Sequence, residues 1–170
     1  FSNEKQRYLA LESWAFIHTD TDIRISSAID ETIIQKPWLA YPFQSVLVLV
    51  DQTYNTLVPA ALYDEKEKAV YLGFMQQYRE NSRVAADELK TAGAWNVYYL
   101  ANSLVHKIKE IWANARIVHL TSALVESLLV AKRNQPGETE VYVNLRSSSF
   151  DLVVIAADKL LFYNNFKARN

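Results

Sequence analysis

Three polar groupings in this 170-residue chain have residue types and spacings that could do chemistry. The first spans residues 144–151, Asn144-Leu145-Arg146-Ser147-Ser148-Ser149-Phe150-Asp151. Arg146 can pair with an anion, and Ser147, Ser148 and Ser149 can donate hydrogen bonds. The same small polar residues also make an ordinary hairpin turn. The second is Asp51, which follows the aliphatic run 46–50. Ligands of α/β sheets gather outside strand C-termini, although a loop carboxylate would look the same. The third is His18, Asp20 and Asp22. An imidazole and two carboxylates could bind a cation, while capping of the next helix by Asp20, Thr21 or Asp22 uses the same residues. His106 and His119 lie on or beside apolar segments and read as structural histidines. Gly73, Gly93 and Gly137 are the only glycines. No Walker loop, dinucleotide fingerprint or Gly-x-Ser-x-Gly elbow is therefore present. No catalytic residue and no metal ligand is assigned.

The elements that must position these residues follow from periodicity. Residues 8–18 read as an aromatic-rich strand. Ile25, Ile29 and Ile33 recur at helical spacing, and Pro37 ends that helix near Lys36 because it lacks a donor and restricts the residue before it. The run 46–50 reads as a strand buried on both faces. Residues 56–58 are extended. Pro59 suits the first turn of a helix reaching about Met75. Residues 83–89 and 95–100 form a hairpin around Thr91, Ala92 and Gly93. Asn102 or Ser103 caps a helix bearing Leu104, Ile108, Ile111 and Trp112. Residues 117–120 are a short strand. Thr121 or Ser122 caps the next helix, with Leu124, Val125, Leu128 and Leu129 as its stripe. From Val141 to Tyr163 three apolar stretches with short separators predict an antiparallel meander.

Composition excludes several classes. Half the residues are hydrophobic and 22% are charged, with a net charge of -1, as in a globular protein. No basic block of the kind nucleic acid demands occurs. The aliphatic run 46–50 is far shorter than a membrane span. The chain has no cysteine, which removes disulfides and thiolate metal sites and permits the cytosol, the expected location. The aromatic stretch 38–43, with Trp38, Tyr41 and Phe43, is a candidate partner surface.

The order of elements predicts an α/β fold, a mixed sheet flanked by helices, with a new meander beginning near Gly137. That order resembles one lobe of the actin-like ATPase superfamily, of ribonuclease H-like fold, passing into the next. Tyr98-Tyr99-Leu100-Ala101, the following helix, Ile117-Val118-His119 and the helix after it look like the segment leading into a second lobe. More closely, Glu12-Ser13-Trp14, Thr56-Leu57-Val58-Pro59, Tyr142-Val143-Asn144 and Phe162-Tyr163-Asn164-Asn165-Phe166 resemble a family of uncharacterised bacterial proteins with this fold. The resemblance implies a first lobe over residues 1–136 whose opening strands lie upstream of Phe1. Residues 137–170 would then be the initial meander of a second lobe.

In the superfamily the second phosphate loop resembles Asp-x-Gly-x-Ser/Thr and sits where residues 142–152 lie. By that resemblance Asn144 stands at the acid position and Arg146 at the glycine position. Asn brings no carboxylate charge, and Arg adds a side chain where backbone should approach phosphate. The expectation is a non-catalytic actin-like binding or scaffold protein. It has no expected cofactor, although ATP with magnesium is the group to test, and it leaves room for a protein partner. The alternative is an ATPase or kinase of the same superfamily. A nuclease of ribonuclease H-like fold would need clustered carboxylates holding two metals, and the near-neutral charge argues against it.

Overall fold

A computed structural model describes residues 8–13, 22–51, 54–74, 79–133, 137–146 and 148–167. The chain divides into two compact units, Phe1–Tyr41 and Pro42–Asn170.

The first unit contains helix α1, Asp22–Gln35. Ile25, Ile29 and Ile33 are half-buried around a buried Ala28, as their spacing predicts. The helix stops where Pro37 removes the next donor, and residues Pro37–Ala40 tighten into a 3-10 turn. The expected strand over 8–18 is corrected for its first part. Residues 8–13 are not extended in a ladder, and Tyr8, Leu9 and Leu11 are exposed. A strand needs a paired edge for its backbone groups, and among the described residues no ladder includes 8–13; Glu12 reaches Lys36 at 3.0 Å. Residues 14–18 of that expected strand, with His18, Asp20 and Thr21, lie outside the described residues.

Among the described residues, the second unit holds three sheets. Strand β1, Leu47–Val50, pairs in parallel with β5, Arg116–His119, in the register Val50↔His119. Strand β2, Asn55–Pro59, and β3, Ser82–Leu89, flank β4, Ala94–Ala101, in an antiparallel sheet. Strand β4 is buried on both faces. Tyr98 and Leu100 join Val50 and Val105 on one side, while Val97 and Tyr99 join Val58 and Leu72 on the other. Helix α3, Asn102–Ile111, follows β4, and α4, Leu120–Lys132, follows β5. The chain then forms the expected meander of β6, Glu140–Leu145, β7, Ser149–Ala156, and β8, Lys159–Lys167. Ala157 and Asp158 both take left-handed backbone in the β7–β8 turn, as a two-residue hairpin demands. Val153 and Ile155 of β7 pack with Leu89 and with Val125 and Leu129 of α4. That core seats the meander on the rest of the unit.

Four expectations are corrected here. Strand β1 is not buried on both faces: Leu47 is 58% and Leu49 45% exposed, on the face that opens onto a cavity shared with Ile117, Ser122 and Glu126 instead of packing under a covering element. Pro59 closes β2 rather than opening a helix. The expected long helix shrinks to two 3-10 turns and α2, Lys68–Gly73. Local side-chain bonds compete with it: Asp64 Oδ1 accepts from Lys66 N, and Tyr71 Oη bridges Asp64 N and Leu62 O. Neither Asn102 nor Ser103 caps α3, which begins at Asn102 without a side-chain cap. Finally, α4 is capped by His119, whose Nδ1 accepts from Thr121 N at 3.1 Å, while Thr121 and Ser122 are buried in its first turn.

Candidate functional site

The site grows from one residue of β7. Strand β7 alternates, and its inward residues are Ser149, Asp151, Val153 and Ile155. Asp151 is thus carried to the inner face with no solvent exposure. A buried carboxylate is tolerated only when charge and hydrogen bonds compensate its lost hydration. The meander supplies them by register. Asn144 of β6 and Asn165 of β8 both lie opposite Asp151. Asn144 Nδ2 donates to Oδ2 at 2.9 Å and Asn165 Nδ2 to Oδ1 at 2.7 Å. Tyr163 Oη donates to Oδ1 at 3.2 Å. Arg146 Nη2 donates to Oδ2 at 2.6 Å, and the same nitrogen meets Asp51 Oδ1 at 3.0 Å.

Two of the residues singled out from sequence far apart in the chain, Asp51 and Arg146, therefore meet, and Asn144 joins them through Asp151. The serines do not. Ser148 is exposed, Ser149 is buried as the first residue of β7, and its carbonyl accepts from Arg146 N at 2.9 Å to close the turn. Ser147 lies outside the described residues. Asp22 opens α1 in the other unit. His106 is exposed on α3, and His119 is fully buried.

Beyond Asp151 the polar contacts continue through the interior. Tyr163 Oη also contacts Thr121 Oγ1 at 3.0 Å and Asn55 Oδ1 at 2.9 Å. Asn55 Nδ2 donates to Asn96 Oδ1 at 2.8 Å, and Asn96 Nδ2 to Ser122 Oγ at 2.9 Å. Ser122 Oγ donates to Asp87 Oδ2 at 2.7 Å, which also accepts His119 N at 2.8 Å. Tyr98 Oη donates to Asp87 Oδ1 at 3.1 Å. One chain of bonds thus ties the meander to β2, β4, α4 and β3. Burial pushes the Tyr163 hydroxyl up to about 12, with the Asp151 charge adding to the effect and the bonds to Thr121 and Asn55 opposing it. Burial and the Asp87 charge push the Tyr98 hydroxyl up as well. A cavity of about 600 Å³ opens beside Asp87 and Ser122, walled by Leu47, Leu49, Ile117 and Glu126.

Sequence reading missed Asn55, Asp87, Asn96, Ser122 and Tyr163 as members of a site, and it took in Asp151 only as the end of the 144–151 turn, with no role. The available signal was polar residues in inward register: Asn96 interrupts the apolar strand β4, and Asp151 interrupts the inward row of β7.

The profile of a protein family described as "Protein of unknown function (DUF3822)" matches residues 1–170. The chain belongs to that family. No curated protein matches it. Among solved structures, the DUF3822 chain is similar to a protein from Bacteroides thetaiotaomicron VPI-5482, described as having an actin-like ATPase fold and unknown function. The two are 19% identical with a TM-score of 0.79, over 86% of this chain and 56% of that one. The DUF3822 chain thus spans just over half the length of that protein, and the likeness shows the fold: mixed α/β, of the actin-like ATPase type. No described helix is long and apolar enough to cross a membrane.

That fold raises the question of whether magnesium and a nucleotide phosphate fit at the 144–151 turn. They do not fit the residues present. The Asn144 amide is turned toward Asp151 as a donor. The Arg146 side chain, 13% exposed, lies between two carboxylates, where it neutralises the charge a metal would need. Among the described residues, no three His, Cys, Asp or Glu side chains cluster as a metal site.

Proposed function

We propose that this chain is part of a non-catalytic actin-like protein that binds or scaffolds a partner. The observation that carries the reading is Arg146, held between Asp51 and Asp151; the reading puts the second phosphate loop of an actin-like protein at this turn. A phosphate loop works by offering backbone N–H groups and a metal to the phosphates. Here a guanidinium engaged with two carboxylates takes that room, and its charge is already spent on them. In this reading residues 1–136 are a first lobe and residues 137–170 open a second; the antiparallel ribbon beginning at β6 supports the division. A cytoplasmic setting belongs to the same reading, and the cysteine-free composition is compatible with it.

The test is ATP turnover by the full chain with magnesium. Negligible turnover is expected. Clear turnover that disappears in Asn144→Ala would defeat the proposal. The alternative, an ATP-binding ATPase or kinase, draws on the actin-like ATPase fold alone, and the same assay decides between them.

A further inference from the structure

We infer that Arg146 is a resident cation, its guanidinium filling between Asp51 and Asp151 the place of a divalent ion, so that removing the side chain opens a divalent-cation site. The inference rests on the reading of the turn given above and deepens it.

Three observations carry it. First, both carboxylates converge on the same nitrogen, Nη2, at 3.0 Å and 2.6 Å. Oxygen atoms of carboxylates gathered around one positive centre are the donor set of a hard cation, which binds through one or two carboxylates and keeps its remaining ligands as water. Second, one donor is preorganised and dry: Asp151 has no exposure and is fixed by Asn144, Asn165 and Tyr163. The other, Asp51, is 45% exposed and opens the pair to water. Third, Arg146 Nε is buried and is the only such side-chain polar atom without a hydrogen-bond partner among the described residues. A guanidinium placed for its full set of donor bonds would not leave that N–H unpaired. Its position follows charge instead, with one end drawn between the carboxylates. In this family member the fold therefore carries its own counter-ion, and the site is indifferent to metal.

Manganese is the probe, because it favours carboxylate and water ligands and reports its own binding by electron paramagnetic resonance. Thermal unfolding of the full chain, without nucleotide, is compared for the unmutated protein, Arg146→Ser and Arg146→Ser/Asp51→Asn, with and without millimolar Mn2+. The unmutated protein is expected to show no change in Tm. Arg146→Ser should unfold at a lower temperature, regain several degrees with Mn2+, and bind one ion per chain. The double variant should lose both effects. Arg146→Gln, nearly isosteric and uncharged, serves if the serine variant does not fold even with Mn2+, and the same rise with Mn2+ is expected. Two results overturn the inference: Mn2+ binding by the unmutated protein equal to that of the variants, or a folded Arg146→Gln that takes up none. Magnesium-dependent ATP turnover by the unmutated protein would instead sink the function proposed above while leaving this titration as it stands.

Discussion

Replacing Asp151 by Asn changes one oxygen to an NH2 and removes one charge without changing shape. Its cost can be worked from the contacts. The carboxylate accepts four donors, Arg146 and Asn144 on Oδ2 and Asn165 and Tyr163 on Oδ1. A carboxylate has acceptor sites for all four, whereas an amide keeps one oxygen and presents two hydrogens of its own. If that oxygen stays with Arg146 and Asn144, the new NH2 faces Asn165 Nδ2 and Tyr163 Oη. Tyr163 can turn its proton to Asn55 Oδ1, 2.9 Å away, and accept instead. Asn165 faces it as a donor and must turn its side-chain amide over to accept, a rearrangement or an unmade bond at about 1–3 kcal/mol. The bond from Arg146 drops from charge-assisted to ordinary, a loss of about 1–2 kcal/mol. Asp51 still neutralises part of the Arg146 charge, so the total should fall near 3 kcal/mol, at the lower edge of the cost of breaking a buried pair. Urea unfolding measures it: a lower midpoint with an unchanged slope is expected. A loss below about 1 kcal/mol would refute the view of Asp151 as the charged centre of the site, because surface polar changes cost no more than that.

One further outcome follows from the same network. The hydroxyl of Tyr163 ionises near 12 in the folded protein and at the ordinary 10.0 when unfolded. The folded value is the higher one, so its contribution is complete below pH 10 and is lost as pH rises from about 10 to about 12, in total roughly 2–3 kcal/mol. Stability measured across that window should fall, and Tyr163→Phe should flatten the fall while lowering stability at neutral pH; an equal slope in both proteins would count against the burial of this hydroxyl. Elsewhere in the unit, Glu126 of α4 accepts from Thr91 N, Thr91 Oγ1 and Ala92 N at the tip of the β3–β4 hairpin. Glu126→Ala should cost about 1–3 kcal/mol and speed amide exchange at residues 91 and 92; unchanged exchange there would show the tip is held by something else.

Much of the fold was legible in the chain because it is written in local patterns. Ile25, Ile29 and Ile33 announce α1, and Pro37 stops it. Two-residue alternation with short separators announces the meander, whose strands then pair as expected. Errors came where a neighbour, not the local pattern, decides. The run 46–50 is apolar enough for a doubly covered strand, yet burial requires elements on both sides, and Leu47 and Leu49 remain exposed. Residues 60–75 have helical composition, yet Tyr71 and Asp64 hold the backbone in turns. The cap of α4 fell to His119 rather than to Thr121 or Ser122, because both of those hydroxyls have partners in the interior.

The candidate site divides in the same way. From the residues alone came the identities, an amide at 144 and a guanidinium at 146; taking them as replacements for the acid and the glycine of a phosphate loop comes from the resemblance to actin-like proteins and belongs to the proposal above. The engagement of that guanidinium with Asp51, nearly a hundred residues upstream, and the chain of buried polar atoms running from Asp151 to Asp87 were decided only by tertiary packing. Hydrogen bonds reach about 3 Å, and only the folded backbone sets which polar groups come within that distance.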